Sequence, residues 1–250
     1  MSFWNAVRRV LDEADIILLV LDARMPELTR NKEVEEKVLR SSKELAIVFN
    51  KIDLISSAAL KKLREQYKEY FFVSARNNIG FSKLKTGLLI MGKSLGISEP
   101  KVGVVGYPNV GKSAIINAIA HRARAQVAHY AGTTKGIQWV KAGSLRILDS
   151  PGVIPFDDKE ERLAFIGAKN PEKIKNPEKV AMHIIKELLK NNKNSIEKSY
   201  GINIDYKTGE YDVILQIGKR RGFLIKGGEV DIKKTCLAVI RDWQRGKIAV

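Results

Sequence analysis

The sequence predicts an α/β domain built on a parallel sheet over residues 1–155, followed by a small, mainly α-helical domain over 156–250. Three observations carry this reading. Apolar runs of strand length alternate with longer stretches of helical spacing. The runs are continuously apolar rather than alternating, as strands covered on both faces must be. Beyond about Pro155 the strand-like runs stop and helical patterns continue.

The elements follow in order. IILLVLDAR (16–24) reads as a strand, and NKEVEEKVLRSS (31–42) as a helix with Val34 and Val38 on one face. ELAIVFN (44–50) is the next strand, AALKKLREQYKEY (58–70) a helix, FFVSA (71–75) a strand, and 79–95 a helix. KVGVVG (101–106) is a strand feeding a glycine-bearing loop, and KSAIINAIAH (112–121) is a helix. IQWVKA and SLRILD form a hairpin that turns at Gly143 and Ser144. In the second domain, helical patterns occupy 177–191 and 231–244. The latter puts Ile232, Cys236, Ile240 and Trp243 on one face, with Asp231 placed to cap its start. KNNKNS (190–195) and IGKRRGFLIKGG (217–228) read as exposed loops, the second being too glycine-rich and basic for a helix interior.

Composition narrows the function. The run IILLVL is far short of the roughly 20 residues a membrane span needs, and no secretory leader pattern opens the chain. No membrane partner is expected. The single cysteine, Cys236, reads as core packing and fits a reducing cytosol, so the expected location is cytoplasmic. Net charge is +16, from 44 Lys and Arg against 28 Asp and Glu. Between Glu99 and Asp149 there is no acidic residue, while Lys101, Lys112, Arg122, Arg124, Lys135, Lys141 and Arg146 fall there. One small anionic ligand does not require seven positive charges, so the excess points to nucleic acid.

GYPNVGKS (106–113) matches G-x-x-x-x-G-K-[ST] and lies where a phosphate loop must, after a strand and opening a helix. Gly106 and Gly111 let the backbone wrap phosphates, with the N–H groups of Asn109, Val110, Gly111, Lys112, Ser113 and Ala114 turned inward. Lys112 is placed to bridge the β- and γ-phosphates, and Ser113 to set its hydroxyl on Mg2+. DSPG (149–152) ends the strand SLRIL, so Asp149 is expected to hold Mg2+ through water and the Gly152 N–H to sense the γ-phosphate. Between these motifs lies AGTTK (131–135), where a threonine can swing onto Mg2+ when the γ-phosphate is present. Thr134 is the first choice and Thr133 the second.

NKID (50–53) closes the strand ELAIVF. Asp53 can accept hydrogen bonds from the N1–H and 2-amino group of guanine, a donor pair adenine lacks. Asn50 can contact the O6/N7 side and support the loop, while the Lys51 stem covers the ring. One helix later the strand FFV runs into Ser74, Ala75 and Arg76, where a backbone N–H can reach guanine O6. The motifs therefore run in the order base, base, phosphate, switch, metal. Moving residues 1–95 behind 155 restores the order of ordinary small G proteins, with the old termini joined through SLGISEP (94–100). The first domain reads as a circularly permuted P-loop GTPase domain with GTP and GDP as ligands.

On these motifs the chain resembles the circularly permuted ribosome-assembly GTPases, which include the bacterial RbgA/YlqF group and the eukaryotic nucleostemin-type and Lsg-type proteins. DARMPELTRN (22–31) is similar to that family's D-A-R-x-P segment, and GYPNVGKS and DSPG are close matches. RGFLIKGGEVDIKKTCLAVIRDWQRGKI (221–248) resembles the C-terminal region of eukaryotic and archaeal members. The resemblance implies GTP-dependent maturation of the large ribosomal subunit, with its precursor and rRNA as partners. Lys219, Arg220 and Arg221 are the RNA-contacting candidates, and a monomer is expected. The alternative is a nucleotide-stabilised RNA-binding scaffold in which hydrolysis is incidental.

Many small G proteins orient the attacking water with a glutamine directly after D-x-x-G. Here Val153 and Ile154 follow Gly152, and the family shares this hydrophobic replacement. Slow intrinsic turnover is expected, with Lys112, Thr134 and Gly152 as the catalytic candidates. Asn109 resembles the asparagine that marks potassium-stimulated members of the wider class, which implies K+ in the place of an arginine finger. The bacterial group carries an N-terminal histidine implicated in catalysis. MSFWNAVRRV has none, and His129 is the candidate substitute.

Overall fold

In β1 (Ile16–Asp22), every residue is buried. A strand with no exposed face belongs inside a sheet covered on both sides, and β1 is paired along both edges. β2 (Glu44–Asn50) lies parallel on one side and β4 (Lys101–Val105) parallel on the other. β3 (Phe71–Phe72), β5 (Gln138–Ala142) and β6 (Leu145–Asp149) complete a six-stranded sheet in the order β3-β2-β1-β4-β6-β5, with only β5 antiparallel. The computed structural model describes residues 3–122, 138–149, 159–205 and 207–249. The chain divides into two compact units, Met1–Phe156 and Asp157–Val250.

In the first unit the chain builds outward from β1 to β3, then returns to lay β4 on the opposite side of β1. The order reverses between β1 and β4, and open α/β sheets bind ligands outside the carboxyl ends of their strands at such a reversal. The helices are α1 (Phe3–Glu13), α2 (Pro26–Thr29), α3 (Lys32–Arg40), α4 (Ser57–Gln66), α5 (Phe81–Ser94) and α6 (Lys112–Arg122). Val7, Val10 and Ala14 of the α1 region and Val34 and Val38 of α3 form one core with Ile17, Leu19, Leu21, Ile47 and Phe49. A Cβ at Gly103 would stand 2.3 Å from Val10 Cγ1, so only glycine lets α1 lie this close to β4. Asn31 caps α3 by accepting the Val34 N–H.

Two expectations for this unit are corrected, and one element is added. The sequence assigns nothing to residues 3–13, where α1 lies. The strand expected over 71–75 stops at Phe72, because Ser74 pairs with Ile79 and turns the chain back. The helix expected to reach Tyr70 ends at Gln66, and Tyr67 and Tyr70 instead stack on each other and pack at a tilt against Phe49.

The second unit is helical: α7 (Glu160–Phe165), α8 (Pro177–Asn191), α9 (Lys193–Tyr200), α10 (Glu210–Arg220) and α11 (Ile232–Gln244). Ile184, Ile185, Leu188, Val213, Ile217, Val239, Ile240 and Trp243 are buried in it, and the Trp243 indole N–H donates to Phe165 O at 2.8 Å. Asp231 caps α11 by accepting the Lys234 N–H. KNNKNS is not a loop: Asn192 breaks the helix and caps α9, accepting the Ser195 N–H. IGKRRGFLIKGG is not wholly a loop either, since α10 runs to Arg220. Gly218 sits inside that helix because a Cβ there would lie 2.2 Å from Val230 Cγ1. Cys236 is fully buried, which pushes its thiol up to about 12 and leaves it an inert core residue. Among the described residues no helix is long and apolar enough to cross a membrane.

Candidate functional site

The phosphate loop leaves β4 at Gly106 and returns as α6 at Lys112. Gly106 has φ +147°, and a Cβ there would meet Val20 O at 2.6 Å. Gly111 has φ +101°, and a Cβ there would meet Asn50 Nδ2 at 2.1 Å. Neither position admits another residue without moving the backbone. Asn109 is also left-handed, at φ +60°, a conformation asparagine tolerates better than most residues. The Lys112 ammonium donates to Gly106 O at 3.0 Å and Tyr107 O at 2.8 Å, which holds it under the loop. Ser113 and Ala114 are exposed in the first turn of α6, while Val110 is buried beneath it. A glycine-bearing loop that runs from a strand into a helix N-terminus, with a lysine held beneath it, is the arrangement in which backbone N–H groups bind anions.

Asn50, at the end of β2, ties this loop to the base-reading motifs. Its Nδ2 donates to Val110 O at 2.9 Å, and its Oδ1 accepts the Ala75 N–H at 3.1 Å. Only 2% of it is exposed. Asn50 was expected to contact guanine O6/N7 and support the loop. The structure shows the support, and both arms of the amide are engaged within the protein. The Ala75 N–H is likewise taken by Asn50. Asp53 sits in a 3-10 turn (Ile52–Leu54), and its Oδ1 accepts the Ser74 hydroxyl at 2.6 Å. Ser74 Oγ in turn accepts the Asn77 N–H. Arg76 is exposed beside them. The structure thus gathers Asn50, Lys51, Asp53, Ser74 and Ala75 on the phosphate loop's end of the sheet.

One group in this region opens the DARMPELTRN segment but has no role assigned to it by the sequence. Asp22, the last residue of β1 and fully buried, receives Arg24 on both oxygens and the Lys51 ammonium on Oδ2 at 2.8 Å. Burial pushes its carboxyl up, but Arg24 and Lys51 outweigh that and hold it down at about 2. Lys51 feels the reverse balance. Desolvation pulls its ammonium below the usual lysine value while Asp22 pulls it back. The signal in the sequence is the acidic residue ending an otherwise apolar strand.

The basic residues are less free than their count implies. Lys141 and Arg146, in the acid-free stretch, both pair with Glu99 at its border, at 3.3 and 2.7 Å, and hold the Glu99 carboxyl below its usual range. Lys219 and Arg220 are exposed at the end of α10. Arg221 instead faces its own unit, 3.8 Å from Asp242 Oδ2 and over the Tyr200 ring at 5.2 Å. Thr133, Thr134, Gly152, Val153, Ile154, His129 and the Asp149 side chain lie outside the described residues. The β6 backbone brings Asp149 level with Val104 of β4, two positions before Gly106. Among the described residues no three His, Cys, Asp or Glu side chains gather to hold a metal. A serine hydroxyl and a carboxylate, completed by phosphate oxygens and water, form a hard-oxygen set that fits Mg2+.

Comparison with known proteins agrees with this geometry. A family model described as 50S ribosome-binding GTPase matches residues 101–215. An uncharacterized GTP-binding protein of Methanocaldococcus jannaschii is 42% identical over 97% of this chain and 65% of its own length. Nuclear GTP-binding protein NUG1 of Saccharomyces cerevisiae is 34% identical over 96% of this chain and 54% of its own. The chain thus spans half to two thirds of the length of these relatives. The crystal structure of GNP-bound YlqF from T. maritima shares the fold, with a TM-score of 0.64 at 24% identity, covering 98% of this chain and 94% of that one. The cytoplasmic location expected from the sequence is corrected here, because the yeast relative is by its name nuclear. A single buried cysteine does not separate one reducing compartment from another.

Proposed function

The chain is similar along nearly its whole length to GTP-binding proteins, nuclear and nucleolar ones among them, and shares its fold with YlqF; we propose that it is a P-loop GTPase that binds GTP and GDP at the sheet reversal and hydrolyses GTP. Its two nucleotide states then act as a switch in assembly of the large ribosomal subunit, through rRNA. The observation that carries this reading is the Asn50 bridge. One amide holds the Val110 carbonyl of the phosphate loop and the Ala75 N–H of the base loop, sixty and twenty-five positions away. Permuted motifs with no common ligand would have no reason to be braced together.

In this reading the phosphate loop's N–H groups and Lys112 bind the phosphates, and Asp53 accepts from the guanine edge. Ser113, Asp149 and Thr134 hold Mg2+, which when bound offsets phosphate charge. Asn109 holds K+. Lys219 and Arg220 contact rRNA from the second unit. The deciding experiment is Asp53→Asn. A carboxylate accepts from the 2-amino donor of guanine, whereas an amide N–H matches the carbonyl of xanthine. The variant is expected to lose affinity for GDP and gain it for XDP in equilibrium binding. Unchanged guanine preference would place base recognition elsewhere.

A further inference from the structure

We propose that Asp22 is a positioning residue for nucleotide: by holding the Lys51 ammonium, it lays the Lys51 stem across the carboxyl ends of β1 and β2 as one wall of the base site. The inference rests on the reading of the sheet reversal as a guanine-nucleotide site.

The cluster is built from both strands. Asp22 and Asn50 are register partners across β1 and β2, so Lys51, the next residue, must arc back to reach Asp22. It does so at 2.8 Å, from a left-handed backbone at φ +65°. That conformation is unfavourable for a long L side chain and needs support from its surroundings.

Asp22 is itself locked. The Arg24 N–H and Nε donate to Oδ1, Arg24 Nη2 donates to Oδ2, and the Asp22 N–H donates to Thr29 Oγ1. The Ala23 N–H closes the turn on Asn50 O. Asp22 and Arg24 are essentially unexposed, while the Lys51 side chain keeps 18% of its surface open. A lone structural ion pair is a weak stabiliser when buried, because desolvation offsets the attraction. Here the pair has a third member drawn from NKID. Arg24 satisfies one edge of the carboxylate and fixes its direction, and the remaining lone pair aims at Lys51. The four methylenes of Lys51 are left to meet a flat ligand beside Asp53.

The test measures GDP, GTP and inorganic pyrophosphate binding to the full chain, the last by competition. Asp22→Asn and Lys51→Met are compared singly and together. Asp22→Asn is expected to weaken GDP and GTP equally, by about tenfold, the scale of one charged hydrogen bond, and to leave pyrophosphate unchanged. Lys51→Met, which keeps a stem but loses the ammonium, should weaken GDP by a similar factor. The double variant should be no more than about twofold weaker than the worse single, as coupled groups require. Multiplied losses in the double variant, or an equal loss of pyrophosphate binding, would overturn the proposal in favour of a purely structural Asp22. If Asp22→Asn does not fold, Lys51→Met decides alone, and wild-type GDP affinity there refutes the idea. Failure of Asp53→Asn to change base preference would instead remove the underlying base-site reading.

Discussion

Replacing Asn50 by alanine removes both arms of the brace at once. The wild-type amide makes one buried hydrogen bond, at 2.9 Å to Val110 O, and one part-buried, at 3.1 Å from the Ala75 N–H. Each is worth about 1 kcal/mol net when intact, and the buried Val110 carbonyl costs about 1–3 kcal/mol when left unsatisfied. Truncation therefore costs roughly 2–4 kcal/mol, divided between the stability of the first unit and the order of the phosphate loop. If half of it falls on the nucleotide-bound state, GDP affinity drops roughly 5- to 30-fold. Urea denaturation without nucleotide gives the first part, and equilibrium binding of a fluorescent GDP analogue gives the second. Asn50→Asp is the informative partner. It keeps an acceptor for the Ala75 N–H but sets a carboxylate oxygen against the Val110 carbonyl, so it should be at least as damaging. If Asn50→Ala changes stability and affinity by less than about 0.5 kcal/mol each, the normal range for an uninvolved surface site, the bridge does not organise the site.

Four further outcomes are expected. GTP turnover in KCl should exceed that in NaCl if Asn109 holds K+, and equal rates sink that assignment. Lys219→Glu with Arg220→Glu should weaken binding to rRNA and flatten the plot of log affinity against log salt by about 1.5, the share of two phosphate contacts. Arg221→Glu should instead show as lost stability of the second unit, since Asp242 and Tyr200 hold that guanidinium. The Asp22 carboxyl lies at about 2 in the fold against an ordinary 3.8, so its contribution is fully present above pH 4 and is lost as pH falls through 2. That amounts to about 2 kcal/mol. The stability difference between wild type and Asp22→Asn should therefore shrink between pH 4 and pH 2 in denaturant titrations, and a constant difference would contradict the assignment.

Legibility of the site divides along the same line as legibility of the fold. The motifs were readable because each is local: GYPNVGKS lies on a strand–loop–helix turn, and its glycines are required by φ +147° at Gly106 and φ +101° at Gly111. Asn50 could be named as a base-side residue from NKID. Its principal partner, Val110, could not be foreseen, because nothing near either residue marks the other. The pairing of Lys141 and Arg146 with the single carboxylate of Glu99, across more than forty positions, was hidden from the charge count in the same way. The glycine in IGKRRG speaks against a helix interior, but Val230 fills the space that a side chain at Gly218 would need.

The α/β class, the permuted motif order, the hairpin turning at Gly143 and the Asp231 cap were determined by the sequence alone. Each depends on periodicity or on hydrogen bonds within a few residues, which the order of side chains states directly. The bracing of two loops by Asn50, the gathering of Arg24 and Lys51 on Asp22, and the turning of Arg221 toward Asp242 were decided only by tertiary structure. The first two depend on which strands become neighbours, and a sheet that reverses its order between β1 and β4 brings together residues that no local pattern relates; the third depends on how α10 packs against α11.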